Sequence, residues 1–321
     1  MRRAWLSLIS KQLRDSRWLL IVSAFMLFMV GWSSVYVASV AEDDIRKLRA
    51  IAERIESDLG DGSISDADAE ALKAAEPLLN RDRVNALAND GDARRLRWRL
   101  RDFQGATRAS EVKAAPSVEY MIPFWQLIFI LPVIAWGISR GSIAVAGEIE
   151  RGTLDLVLSR PISRGSYLAT QWASATLGFV TLTLALIGGS YLAMIRYPVA
   201  APPGLPLMLK PALNLAALWL CVYGAAFALS CGDLARWRPT LIVTSFVLAS
   251  AVAQALAQIP QLRDYKEWME NASIFTAYNP VDAAKGAEWL VRNVAVLGGI
   301  GFALLAAGWF AFRSRDLPSN S

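Results

Sequence analysis

The chain has 321 residues, 55% of them hydrophobic and 19% charged, with a formal charge of +5. Soluble domains usually carry about a quarter charged residues, and the charges here fall in blocks between long apolar runs, which excludes an ordinary soluble globule. Histidine is absent and the dipeptide Gly-Lys never occurs, so histidine-based protease or metal chemistry and the usual phosphate loop are excluded as well.

The first 17 residues place Trp5, Leu6, Ile9 and Leu13 at helical spacing, with Arg2, Arg3, Lys11 and Arg14 between them. That pattern predicts a basic amphipathic helix lying in the membrane interface. Six uncharged runs follow, at 18–40, 120–139, 167–195, 211–231, 240–258 and 294–312. Each approaches the roughly 20 residues that a helix needs to cross a bilayer core. Ser39-Val40-Ala41 resembles a cleavage site, but the apolar run before it exceeds a signal-peptide core, so it reads as a retained span.

Orientation follows from basic residues in the short loops. One set of loops and ends holds 13 of them, among them Arg140, Arg151, Arg160, Arg164, Arg236 and Arg238, and the opposite short loops hold 6, diluted by acids. Both termini are therefore expected in the cytoplasm of a bacterium, with the chain multi-pass in the inner (plasma) membrane. The arginine-bearing segment 41–116 then lies outside; loops longer than about 60 residues largely escape the rule.

The expected organisation is a cytoplasmic amphipathic helix (1–17), a first transmembrane helix (18–40) and an extracytoplasmic helical loop (41–116). A second transmembrane helix (117–139) and a cytoplasmic segment (140–166) follow. Then come a third helix (167–195), an outer loop (196–210), a fourth helix (211–234), a cytoplasmic turn (235–238) and a fifth helix (239–259). A second outer loop (260–290), a sixth helix (291–312) and a cytoplasmic tail (313–321) complete the chain. Within 41–116 there are 16 acids and 14 bases, and Ile45, Leu48, Ala52, Ile55 and Leu59 continue the first span outward as an amphipathic helix. Asp61-Gly62 breaks it, Ser65 or Asp66 caps a further helix that ends near Pro77, and 94–103 reads as strand or as helix. The Pro- and Gly-rich stretch 197–209 cannot form a long helix. Residues 260–288 combine a charged helical piece with YNPVDAAKG, which lies flat or dips towards the membrane. Cys221 and Cys231 are about 15 Å apart along one helix and cannot bridge. The spans lack the buried charges that ion-coupled carriers use at mid-membrane, which argues against an ion-coupled carrier.

The informative stretch is GEIERGTLDLVLSRPISRG (147–165). Six charges in the bilayer would cost roughly 2.5–3.5 kcal/mol each, so this stretch is expected in water or against another protein. Glu148, Arg151 and Asp155 share one helix face and can pair at helical distance. Gly152 permits a break, and Thr153 can cap a second short helix with Asp155 in its first turn. Leu154, Val157 and Leu158 form an apolar patch, Pro161 stops the turn, and Ser163 or Ser166 begins the third span. Asp233, beside Gly232, reads as an acid at a helix end. The expected product is a short rigid elbow that can transmit a push.

GEIERGTLDLVLSRPISRGSYLATQW (147–172) resembles the signature of type-2 ABC-transporter permeases, roughly gE-x-E-x-GTL-x-x-LLS-x-P-[VI]-S-R followed by a helix. Glu148, Glu150, Gly152, Thr153, Leu154, Leu158, Ser159, Pro161, Ser163 and Arg164 fit, as does the ending FRSRDL (312–317). The resemblance implies an all-α membrane protein of six transmembrane helices, with an N-terminal amphipathic interfacial helix, a cytoplasmic coupling helix between spans two and three, and a helical extracytoplasmic loop between spans one and two. It implies a permease subunit without catalytic or metal-binding residues, an exporter by preference, that works as a dimer with a second copy or a sibling permease. ATP and Mg would be bound by a separate ABC ATPase subunit, docked through Glu148, Glu150, Arg151, Gly152, Thr153, Leu154, Asp155, Leu158, Pro161 and Arg164; no nucleic-acid partner is implied. One position departs: where the family usually has Gly-Lys, this chain has Thr170-Gln171. The competing reading is a membrane-embedded sensor or assembly factor acting through 41–116.

Overall fold

The computed structural model describes residues 2–58, 121, 127–154, 163–199, 202–286 and 288–314. All regular structure among them is helical. Helix α1 (Arg2–Asp15) leads into α2 (Arg17–Asp58), followed by α3 (Leu127–Ser142), which passes through a π-helical turn at Ile143–Gly147 into a last α turn at Glu148–Glu150. Next come α4 (Arg164–Arg196), α5 (Leu205–Gly232) and α6 (Trp237–Leu256). Two 3-10 turns alternate with α7 (Lys266–Ala272) and α8 (Pro280–Lys285) before α9 (Trp289–Ser314). Among the described residues six helical stretches are long and apolar enough to cross a membrane: Arg17–Val40, Ile130–Glu150, Arg164–Arg196, Leu205–Gly232, Trp237–Leu256 and Trp289–Ser314.

Two helices run past the limits expected for the spans. The helix of the second span continues beyond residue 139 to Glu150, with Arg140, Ser142 and Glu148 buried. The fourth helix starts at Leu205, inside the stretch expected as loop, since Pro206 sits in the first turn, where its missing N–H costs nothing. The helix of the first span continues beyond residue 40, as α2 runs unbroken to Asp58. The expectations for 59–116, including the breaks at 61–62 and 77 and the ambiguous 94–103, lie outside the described residues.

The chain divides into two compact units. The smaller comprises 33–121 and 193–203. There Tyr36 meets Tyr197 edge-on at 5.3 Å, and the Ser39 hydroxyl donates to the Tyr36 carbonyl at 2.8 Å.

The larger unit comprises 1–32, 122–192 and 204–321, and its helices pack at backbone distance. Lipid is as apolar as leucine, so membrane helices gain chiefly from close approach through small residues. A Cβ on Gly31 would lie 2.1 Å from the Leu186 carbonyl oxygen, and one on Gly189 would lie 2.2 Å from that of Phe28. Helices α2 and α4 thus cross glycine on backbone, and the Ser190 hydroxyl adds a bond to the Gly31 carbonyl at 3.2 Å. In α9 the buried residues Leu297, Gly301, Leu305, Gly308 and Phe312 form one stripe at helical spacing. That stripe lies on α5, where Gly224 faces Gly301. Phe179, Trp219, Tyr223 and Phe227 stack in a column through the core. Both cysteines are buried and neither is in a disulfide.

At one end of this unit the segment 260–286 folds back on α5 and α6. The Ser273 hydroxyl donates to the Ser250 carbonyl at 2.8 Å, and Asn214 Nδ2 to the Ala277 carbonyl at 3.3 Å. Asn279 caps α8, and burial pushes the Tyr278 hydroxyl above the ordinary tyrosine range.

Candidate functional site

The opposite end of the larger unit carries the conspicuous sequence stretch. The helix ends in a complete Schellman motif. Gly152, at φ 65°, donates its N–H to the Ile149 carbonyl at 2.9 Å, and Thr153 donates to the Glu148 carbonyl at 3.0 Å. Only glycine takes this left-handed position without strain. Glu148 is 7% exposed; its carboxylate accepts the Thr153 hydroxyl and pairs with Arg151 at 3.6 Å. Glycine and Glu148 together turn the chain sharply and hold it there.

Glu150 points elsewhere. Its Oε2 accepts the backbone N–H of Arg236 at 3.1 Å and lies 3.7 Å from that residue's Nε. Arg236 is the N-cap of α6, so the carboxylate also meets the positive end of that helix. Asp233 shapes the same turn, accepting the N–H groups of Leu234 and Ala235 at 2.6 and 3.1 Å and pairing with Arg238 at 3.7 Å. The elbow and the 233–238 turn are therefore one joined surface.

Behind the elbow lies a polar cluster that the apolar-run reading missed. Arg140 is 5% exposed, and no carboxylate stands within ion-pair distance of it among the described residues. Its Nη2 donates to Ser174 Oγ at 3.2 Å and to Gln12 Oε1 at 3.5 Å, the guanidinium sits 5.7 Å from the Trp136 ring centroid, and Nε has no partner. The Ser174 hydroxyl donates to Gln12 Oε1 at 2.6 Å. Gln171, at the position where the resembling family has lysine, is buried and donates through Nε2 to the Tyr167 hydroxyl at 2.7 Å. Arg140 and Glu148 are both buried, at the elbow end of the helix and beyond the expected span. An isolated buried charge is costly, and the cost is reduced here by neutral hydrogen bonds and an aromatic face, none of which a run of hydropathy reveals. In the N-terminal helix Ile9 and the polar Gln12 are buried while Ser10, Lys11 and Arg14 are exposed.

Replacing Gln12 by leucine removes the acceptor shared by Arg140 and Ser174. Stability should fall by about 1–3 kcal/mol, and α1 should become cleavable by trypsin at Lys11 and Arg14 in detergent. Gln12→Glu, which keeps the acceptor and adds a counter-charge, should leave the digestion pattern unchanged. Equal resistance of Gln12→Leu and the parent would show that Gln12 anchors nothing.

Of the residues singled out in the sequence, Glu148, Glu150, Arg151, Gly152 and Thr153 come together in the elbow. The Thr153 hydroxyl donates back to Glu148, and the next residue, Leu154, is already helical. Leu154 is 4% exposed, so its side chain is covered by the chain itself; Val157, its expected partner in the apolar patch, lies outside the described residues. Asp155, Leu158 and Pro161 lie outside the described residues. Ser163 begins α4, accepting the Ser166 N–H at 3.1 Å, and Arg164 lies over the Phe312 ring at 6.0 Å.

A groove of about 840 Å³ runs between α3 and α6, lined by Leu131, Ile134, Ile138, Leu241 and Val247, with Arg236 and Trp237 at its elbow end. A family model described as an ABC-2 family transporter protein matches residues 9–317. The chain belongs to that family. It is a multi-pass membrane protein and the permease component of an ABC transporter, a class that associates with an ABC ATPase. The permease matches no curated protein and no solved structure.

Proposed function

We propose that the permease exports an amphipathic cargo from a bacterial cell, and that the elbow at 148–154 is where a separate ATPase, carrying ATP and Mg, docks. The observation that carries this reading is the double tether of the elbow. The Schellman turn with Glu148 makes it stiff, and the Glu150 bond to Arg236 joins it to α6. A stiff element joined to two spans passes displacement on; a floppy loop absorbs it. In this reading both termini and the elbow face the cytoplasm of the inner membrane. The groove between α3 and α6 takes the cargo, its apolar lining suiting a tail and Arg236 an anionic head. The exposed apolar faces of α2, with Trp18, Val22 and Phe25, and of α6, with Leu241 and Phe246, meet lipid or a second permease, either another copy or a sibling chain.

The test is capture of the tagged permease from native membranes in mild detergent. A stoichiometric partner with a phosphate-loop motif should come with it. That partner should be lost on Arg151→Asp, which reverses a charge of the elbow and ends its pairing with Glu148, with the thermal midpoint of the variant as the check on folding. Leu154→Asp would be a poor probe, because its buried side chain reports on folding. Absence of any such ATPase under conditions that preserve related complexes would end the docking reading and favour a sensor or assembly role.

A further inference from the structure

Directly before the elbow, α3 is not an α-helix. At Ile143–Gly147 it widens into a π turn, and π turns inside α-helices concentrate at functional sites. The cause is visible in the hydrogen bonds. In an α-helix the N–H of Ala146 would pair with the carbonyl of Ser142. Here the hydroxyl of Ser230, from α5, stands between those two groups. It accepts the Ala146 N–H at 2.9 Å and donates to the Ser142 carbonyl at 2.9 Å. It also accepts the Val145 N–H at 3.1 Å, so its one donor and two acceptor sites are all used. From the other side, the Tyr167 hydroxyl of α4 donates to the Ala144 carbonyl at 2.6 Å and is itself held by Gln171. Ser142, Ala144, Val145, Ala146, Tyr167, Gln171 and Ser230 are all buried. The turn is thus kept open by side chains of two neighbouring helices.

We propose that Ser230 sets the rotational register of the elbow. When its hydroxyl withdraws, the Ser142–Ala146 bond closes and the π turn reverts to α geometry. A π turn accommodates one extra residue, so its loss turns everything C-terminal of it by about 100° and shifts it by about 1.5 Å. Glu148 and Leu154, which face inward while the turn is open, then swing outward, and the Glu150 tie to Arg236 breaks. The register change needs only hydrogen-bond exchange. In its use of the elbow the proposal rests on the docking reading; in its physics it does not, and it is tested on the permease alone.

The experiment compares the parent with Ser230→Ala and Ser230→Thr, each also carrying Leu154→Cys, in detergent. Cys221 and Cys231 are buried and serve as the unreactive background. Removing the hydroxyl should raise the reaction rate of the residue-154 thiol with a water-soluble maleimide about tenfold or more, the scale expected when a buried polar bond is lost. Amide exchange over 148–153 should stay as slow as in the parent, because the helix end turns as a body. Ser230→Thr, which keeps the hydroxyl, should return the thiol to its parental rate. Unchanged thiol reactivity in Ser230→Ala would overturn the proposal. So would faster exchange across 148–153 in step with the thiol, since that pattern means local melting rather than a turn of register. Failure to find an ATPase in the capture experiment bears on the docking reading and leaves these rates to decide Ser230.

Discussion

Gly301→Leu should destabilise the permease by about 3 kcal/mol, the upper end of what overpacking costs. A Cβ at residue 301 would lie 2.8 Å from the Cys221 nitrogen and from the Leu220 carbonyl carbon and oxygen, and one on Gly224 would lie 2.6 Å from the Gly301 oxygen. These are backbone atoms of α5, which cannot rotate aside as a side chain would. The helices must separate, and the rest of the stripe, Leu297, Leu305 and Phe312, loses its contacts with them. At roughly 2–4 °C per kcal/mol, the midpoint of thermal unfolding in detergent should fall by about 6–12 °C. Gly299→Leu supplies the control two residues away: nothing lies within 4 Å of a Cβ there, and its midpoint should match the parent. If both substitutions lower the midpoint equally, helix propensity or expression, not the crossing, sets the effect.

Glu148→Ala should abolish capture of the ATPase while leaving the bundle folded. The substitution removes the acceptor of the Thr153 hydroxyl and the partner of Arg151 at one stroke. Hydrogen bonds to a charged group contribute about 1.5–3 kcal/mol. The population of the ordered elbow should therefore drop by roughly 10- to 150-fold at about 1.4 kcal/mol per factor of ten. Glu148→Gln keeps an acceptor for Thr153 and loses only the charge, so it should retain most of the capture. The readout is the amount of co-purified ATPase per folded permease, with the thermal midpoint of each variant as the check on folding. Undiminished capture by Glu148→Ala would mean that the Schellman backbone alone suffices and that Glu148 contributes nothing to docking.

The spans were legible because the physics that makes them is local: about 20 apolar residues cross a bilayer whatever their neighbours do. The elbow was legible for a similar reason. Glycine at residue 152, with acids and a base at helical spacing before it, specifies a turn within one stretch of chain. The inner architecture was not. Arg140 looked like a loop residue because it is charged, and its burial depends on Gln12 and Ser174, 128 and 34 residues away. A local hint existed in Gly137 and Gly141, one helical turn apart on α3. Both lie against α5, so the helix had reason to stay packed past residue 139. Nothing near Glu150 in sequence announces Arg236, and no pattern in 143–147 announces that a serine on another helix opens the turn. Whether Leu154 faces out or in is not written in its local composition either, since an exposed patch and a buried contact are built from the same residues.

The bond from Glu150 to the N-cap of α6 also governs the groove between α3 and α6. Its two walls are fastened to each other at the elbow end. Walls pinned at one end have one easy deformation left, which is to spread at the other, as the jaws of a clothes-peg part away from its spring. A displacement delivered at the elbow is then delivered at the pivot, where a small angle becomes a large gap some six helical turns away. The mouth of the groove and the Glu150 tie are at opposite ends of the same pair of rods.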